Sequence, residues 1–161
     1  MDEILEILSN DARASAEEIA KLTGKSASAV KKSIKQYEEN GTIVKYKAVI
    51  NQELAQDKKP FVRAIIEVSI TPQKDVGFDA VAERIYSFPE VSSCYLVSGT
   101  YDLLIVVEGG DIQTVANFVA SKLSPLPDVK STTTHFMLKK YKEDGHVLSK
   151  KQQGKRPNIS Y

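Results

Sequence analysis

The sequence predicts an α+β chain of two small domains, an N-terminal winged helix-turn-helix and a C-terminal βαββαβ sandwich. Three observations predict it. Two capped helical segments meet at Thr23-Gly24-Lys25, a turn too short for an ordinary loop. A polar stretch, Gln52 to Pro60, is the natural linker and leads into a strand pattern. From Phe61 on, strand-type alternation and helical spacing succeed one another in the order βαββαβ. A chain of 161 residues with ordinary apolar content fits two small domains of this kind. The expected divisions are 1–51, a linker at 52–60, 61–138, and a basic extension at 139–161.

In the first domain, Asp2 to Leu8 predicts a helix whose Ile4, Leu5 and Leu8 close a small core over Ile19 and Leu22. Ser15 is placed to cap the second helix, and Glu18, three residues on, can reach back to complete a capping box. Gly24 takes a positive φ without a Cβ penalty, and Ser26 offers its hydroxyl to the first amides of the third helix. On that helix Ala27, Val30, Ile34 and Tyr37 share one stripe, while Ser28, Lys31, Lys32 and Lys35 share the other. A small, polar, cationic face can enter a major groove, its lysines reaching phosphates. A lone lysine-bearing helix would sooner be the solvated side of a bundle than a DNA-binding element; the capped corner reverses that preference.

Asn40-Gly41 ends the helix, and residues 42–51 alternate β-branched or aromatic side chains with lysines, as a short strand pair would. This predicts the wing. From Lys25 to Lys47, six lysines face only Glu38 and Glu39. The expected contacts to double-stranded DNA are therefore Lys25, Ser26, Ser28, Ala29, Lys31, Lys32 and Lys35, with Lys45 and Lys47 on wing phosphates.

In the second domain Phe61 to Ile70 alternates with Val62, Ala64, Ile66, Val68 and Ile70 on one side, a strand ended by Thr71-Pro72. Phe78, Val81, Ala82 and Ile85 take helical spacing between about Val76 and Phe88, before Pro89 blocks continuation. Val91 to Ser98 returns to strand. The order then repeats: Leu103 to Val107 as strand, Ile112, Val115, Ala116, Val119 and Leu123 on a helix, and Ser131 to Leu138 as a Thr-rich strand. This order builds a ferredoxin-like sandwich, two helices on one face of a four-stranded antiparallel sheet. The other face would carry Phe61, Arg63, Ile65, Tyr95 and Val97, apolar enough to predict a homodimer through it. A two-fold dimer would pair two DNA-binding modules on a pseudo-palindromic site.

The formal charge of +1 hides an uneven layout: residues 1–51 balance, 52–138 carry an acidic surplus of four, and 139–161 a basic surplus of five. Cys94 is the only cysteine, so no intrachain disulfide and no cysteine zinc cluster can form. No apolar run approaches the ~20 residues of a membrane span, and the acidic start is wrong for a secretory signal; a cytoplasmic protein without membrane association is expected. His135 and His146 sit in no recognisable metal or nucleophile motif, so neither catalysis nor a cofactor is expected. The tail reads as a solvated hairpin turning at Tyr141–Gly145, with Asn158–Tyr161 as an edge strand and Arg156-Pro157 starting the return. An additional DNA contact through its lysines is the alternative.

A winged helix-turn-helix, a linker and a βαββαβ domain in this order resemble the Lrp/AsnC family of transcription regulators over nearly the whole chain. Gly99-Thr100-Tyr101-Asp102, between the second and third strands, matches that family's Gly-x-Tyr-Asp motif. The resemblance implies that a small effector, often an amino acid, binds near this loop where dimers meet, and that dimers assemble into octamers. It places Gly99, Thr100, Tyr101 and Asp102 at or beside the effector, with Ser131, Thr132, Thr133 and Thr134 as contributors from a neighbouring dimer. A purely structural role stands beside this: Gly99 would serve a tight turn through a positive φ, and Asp102 would bond loop amides. Two alternatives stand against a DNA-binding regulator, a sirohaem-decarboxylase-like enzyme of the same fold and a metabolite sensor that has lost DNA affinity.

Overall fold

Residues 2–52, 54–55, 60–71 and 77–148 are described by the structure, a computed structural model. The chain divides between Ile50 and Asn51 into two compact units. Three helices make the first: α1 (Glu3–Asn10), α2 (Ala16–Thr23) and α3 (Ala27–Glu39). Each begins on a side-chain cap: Asp2 accepts from the Ile4 N–H, Ser15 from Glu18 and Ser26 from Ala29. The predicted capping box is complete, because the Glu18 carboxylate takes the Ser15 N–H at 2.8 Å in return. Those bonds from Ser15 hold the Glu18 carboxyl below its ordinary range. Gly24 closes α2 with φ of 68°, the left-handed conformation that lets the chain turn within three residues.

Ile4, Leu8, Ile19 and Val30 are the buried core of this unit, with Ile7, Ala20, Ile34 and Tyr37 packed around them. Leu22, expected in that core, is 72% exposed, and Leu5 is only half-buried. The inner stripe of α2 runs Ala16, Ile19, Ala20, Thr23, and Leu22 lies past its edge. The expected strand pair after α3 is also not formed. Gly41 turns the chain, and residues 44–50 are exposed and without strand partners among the described residues. The sequence from Thr42 to Ile50 contains no Gly, Pro, Asn or Asp to reverse it, so a hairpin has no place to turn.

In the second unit, β1 (Val62–Ile70), β2 (Val91–Leu96), β3 (Leu103–Gly109) and β4 (Val129–Phe136) form one antiparallel sheet in the order β2-β3-β1-β4. The helices α4 (Asp79–Tyr86) and α5 (Ile112–Phe118) cover one face. The predicted alternation of β1 holds: Ala64, Ile66, Val68 and Ile70 are buried with Leu103, Ile105, Val107, Val81, Ile85, Val115, Phe118 and Leu123. Phe88 meets Phe118 edge to face at 5.6 Å. Gly109 lets β3 pass close to α5: a Cβ there would lie 3.2 Å from Val115 Cγ2, so the Val115 and Thr114 side chains would have to give by a few tenths of an ångström.

The second helix departs from the expected spacing. After Phe118 the chain makes a π-helical turn, Val119–Leu123, in which the Ser124 N–H reaches the Val119 carbonyl at 2.8 Å. Leu123 is buried, as its place on the predicted stripe implies, and Lys122 beside it stays at the surface, paired with Glu90. Ile112 and Ala116, expected inside, are exposed, and Phe118 takes the buried position.

Residues past β4 form the predicted hairpin, β5 (Lys142–Glu143) with β6 (His146–Val147), turning through Asp144 and Gly145 at positive φ. Asn51 belongs with it: its side-chain amide donates to the Leu148 carbonyl at 2.6 Å. The expected edge strand Asn158–Tyr161, the returning segment at Arg156-Pro157, and Lys150, Lys151, Lys155 and Arg156 lie outside the described residues.

Candidate nucleic-acid interface and effector site

The α3 helix presents the two faces its sequence calls for. Val30 is fully buried and Ala27, Ile34 and Tyr37 half-buried, while Ser28, Ala29, Lys31, Lys32 and Lys35 are all exposed. Lys25 and Ser26 are exposed at the corner, where the Ser26 hydroxyl accepts the Ala29 N–H at 3.2 Å. All the expected DNA contacts except Lys45 and Lys47 thus lie on α3 or at its start. Those two lysines are exposed on the segment after α3, which forms no strand pair among the described residues. That segment is pinned to the end of α3 by the Tyr46 hydroxyl, which donates to Glu38 at 2.9 Å.

The lysines differ in their partners. Lys31 Nζ lies 2.7 Å from a Glu17 carboxylate oxygen on α2, and Lys35 lies 3.6 Å from Glu39 one turn further along α3. Of this face only Lys31 and Lys35 make ion pairs within 4.0 Å among the described residues, and the Lys25 charge adds to the Ile4 N–H bond in holding the Asp2 carboxyl below its ordinary range. The hydrogen bond from Lys31 holds the Glu17 carboxyl below its ordinary range. Glu17 is a residue that sequence reasoning missed. As an acid in the first turn of α2 it suits the helix dipole, and nothing in the linear pattern ties it to a lysine 14 residues away.

At the other site, Asp102 is committed to the sheet. One of its carboxylate oxygens accepts the Ile70 N–H at 2.8 Å, its own N–H donates to the Val68 carbonyl at 3.1 Å, and its carbonyl accepts the Val97 N–H at 2.9 Å. Those bonds join the ends of β2 and β3 to the last residues of β1, where the β1–β4 register shifts between Ser69 and Ile70. Gly99 has a φ of 158°, a positive value that L side chains rarely adopt, so the turn uses the glycine as the structural reading expects. Thr100 is exposed, and Tyr101 half-buried.

Across β1, Ser131 pairs with Ser69 and Thr132 with Val68. The loop 99–102 and the start of β4 therefore meet at one end of the sheet within a single chain. The four expected β4 residues do not share a face. Thr132 and Thr134 lie on the helix-covered side and are half-buried, whereas Ser131 and Thr133 are exposed on the open side. Strand period divides a run of four between the two sides.

The open sheet face is less apolar than expected. Ile65, Leu104, Val106 and Tyr95 occupy its middle, but Phe61 precedes the strand, Val97 follows one, and Arg63 is an ionic hub. Arg63 hydrogen-bonds Glu108 through Nε at 2.9 Å and Nη2 at 2.5 Å, and Glu143 of the hairpin through Nη1 at 3.1 Å. Lys140 also pairs with Glu143. His135 Nε2 lies 3.2 Å from Glu67 on the same face. Arg63, Glu108 and Glu143 have no sequence signal as a cluster, being joined only by strand pairing and the hairpin fold.

Among the described residues no group of three or more His, Cys, Asp or Glu side chains could hold a metal ion, and no helix is long and apolar enough to cross a membrane.

A capped helix-turn-helix with a cationic outer helix, joined to an antiparallel βαββαβ unit, defines a DNA-binding regulator with a separate ligand-binding domain. The family profile for winged helix-turn-helix DNA-binding matches residues 3–44, and that for the Lrp/AsnC ligand binding domain matches residues 63–147. The chain belongs to the Lrp/AsnC family. It is similar to the HTH-type transcriptional regulator YugG of Bacillus subtilis, 49% identical over 98% of this chain and 95% of that protein. It is also similar to the proline dehydrogenase transcriptional activator of Rhizobium radiobacter, 29% identical over 88% of this chain and 89% of that one. Among solved structures, a transcriptional regulator of Neisseria meningitidis in complex with L-Met superposes with a TM-score of 0.67 at 28% identity, covering 88% of this chain and 89% of that chain. The relatives are transcription regulators, not enzymes, which removes the decarboxylase alternative.

Proposed function

We propose that this regulator binds duplex DNA through the outer face of α3 and alters that binding when a small amino acid occupies the second unit. One observation carries the DNA contact: a helix buried along Val30 and Ile34 offers only small and cationic side chains outward, immediately after a capped three-residue turn. Ser28 and Ala29 are small enough for close approach to base edges. Lys25, Lys32 and Lys35 are in reach of phosphates beside the groove, and Lys45 and Lys47 of phosphates beyond it. Ser26 acts through the helix start it caps.

The effector reading is supported by the loop 99–102 meeting Ser131 and Thr132 at one sheet end, and by the L-Met bound to the Neisseria relative. Gly99 and Thr100 offer exposed backbone for an amino acid's carboxylate. Asp102 shapes the site by locking β1, and Thr133 and Thr134 lie further along the strand. A homodimer through Ile65, Tyr95, Leu104 and Val106, assembling further into an octamer, would pair the α3 helices. An effector that prefers one assembly geometry would then shift DNA affinity by linkage.

The test is a salt series on Lys32→Ala and Lys47→Ala. Each is expected to bind more weakly and to lose ~0.9 from the slope of log affinity against log salt, one phosphate contact apiece. Unchanged slopes in both would remove α3 and the segment after it from the interface.

A further inference from the structure

We propose that Glu17 governs DNA affinity by holding Lys31 out of the phosphate contacts. The inference rests on the reading of α3 as the DNA-binding helix and changes which of its lysines count. Lys31 sits among exposed Ser28, Lys32 and Lys35, and by position alone belongs to the DNA face. Its ammonium, however, lies 2.7 Å from Glu17 across the α2–α3 corner, in a charge-assisted hydrogen bond. The other paired lysine of this face differs: Lys35 is 3.6 Å from Glu39 on its own helix, beyond hydrogen-bond reach.

The pair has two consequences at a polyanion. A lysine neutralised by a carboxylate displaces no counterion when DNA docks, so it adds nothing to the salt dependence. The Glu17 carboxylate also stays covered, since removing Lys31 would leave a bare negative charge beside phosphates. Both side chains are more than half exposed, so the bond stabilises the fold little. Its effect is on the charge the corner presents. Glu17 is thus a positioning residue that acts through Lys31 without touching DNA.

The test uses the full chain and a mixed-sequence duplex, followed by fluorescence anisotropy across a salt series. Glu17→Gln frees Lys31 and is expected to bind more tightly at low salt, with the slope steeper by ~0.9. Across a fourfold rise in salt that slope adds a loss of about 3.5-fold in affinity. Lys31→Met is expected to weaken binding without changing the slope. In the double variant the steepening should disappear, because it requires the lysine. A merely structural role for Glu17 would move neither slope. The inference is overturned if Glu17→Gln leaves slope and affinity unchanged, or if Lys31→Met alone flattens the slope by a full contact. Lys32→Met separates this from the reading beneath it. A flattened slope there with no effect of Glu17→Gln refutes the role of Glu17 alone, whereas no salt-dependent binding by the unsubstituted protein refutes the DNA reading and this inference with it.

Discussion

Removing the Asp102 side chain isolates what the loop does for the sheet. In Asp102→Ala the backbone bonds to Val68 and Val97 remain, and the single loss is the carboxylate that accepts the Ile70 N–H at 2.8 Å. A hydrogen bond to a charged group contributes ~1.5–3 kcal/mol, and an amide left unpaired costs a similar amount. Asp102 is half-buried, so water replaces part of the bond, and the lower end applies, ~1–2 kcal/mol. Asp102→Asn keeps an acceptor oxygen and should lose ~1 kcal/mol or less, the difference between a charged and a neutral bond. Urea unfolding followed by circular dichroism at one fixed protein concentration reads this as a lower midpoint with unchanged m. An Asp102→Ala protein as stable as the unsubstituted one would refute the claim that this carboxylate secures β1. Effector affinity measured on Asp102→Asn then separates shape from contact: a protein that keeps its fold and still binds amino acid has an Asp102 that shapes the site without touching the ligand.

Ile19→Ala, at a fully buried position of a four-residue core, should cost ~2–5 kcal/mol and abolish DNA binding, with thermal melting as the readout. Ser15→Ala removes the hydroxyl that accepts the Glu18 N–H while leaving the backbone half of the capping box, and should cost ~1 kcal/mol by the same melt; an unchanged midpoint would contradict the cap. Glu143 is held below its ordinary carboxyl range by the hydrogen bond from Lys140 first, against burial, and then by Arg63. A depressed folded value means its contribution is complete above the ordinary 4.5 and fades as pH falls through the lower folded value. Melts from neutral to acid pH should therefore show a loss in the unsubstituted protein that is smaller in Glu143→Gln, and equal losses would exclude this residue.

The elements legible in the sequence were those set by local chemistry. Ser15 with Glu18, Gly24 and Ser26 each announce a cap or turn within three residues, and all four act as written. The alternation of Val62 to Ile70 likewise fixed which side of β1 is buried. What escaped depends on partners distant in sequence or on geometry with the wrong period. On the last helix the predicted stripe placed Val115 and Leu123 correctly but missed Phe118, which is buried just before a π-helical turn that a 3.6-residue pattern cannot anticipate. The strand pair expected after α3 is not formed among the described residues because alternation alone, in Thr42 to Ile50, supplies strand propensity but no reversal. At the DNA face the exposed lysines were legible, and the pairing of one with Glu17 was not, because it spans two helices. At the sheet end, the resemblance assigned Ser131 to Thr134 to a neighbouring dimer, whereas strand pairing brings Ser131 and Thr132 beside the loop of their own chain and alternation separates Ser131 and Thr133 from Thr132 and Thr134, neither of which a linear motif shows.

The central claim is that α3 binds DNA and that the second unit modulates it. Its most direct test is an anisotropy titration of the full chain on the DNA upstream of its own gene, over a salt series, with and without a pool of amino acids. Tight, salt-sensitive binding whose midpoint moves with the pool is the expected result. Binding that is absent at every salt concentration, or identical with and without amino acids, would contradict the claim.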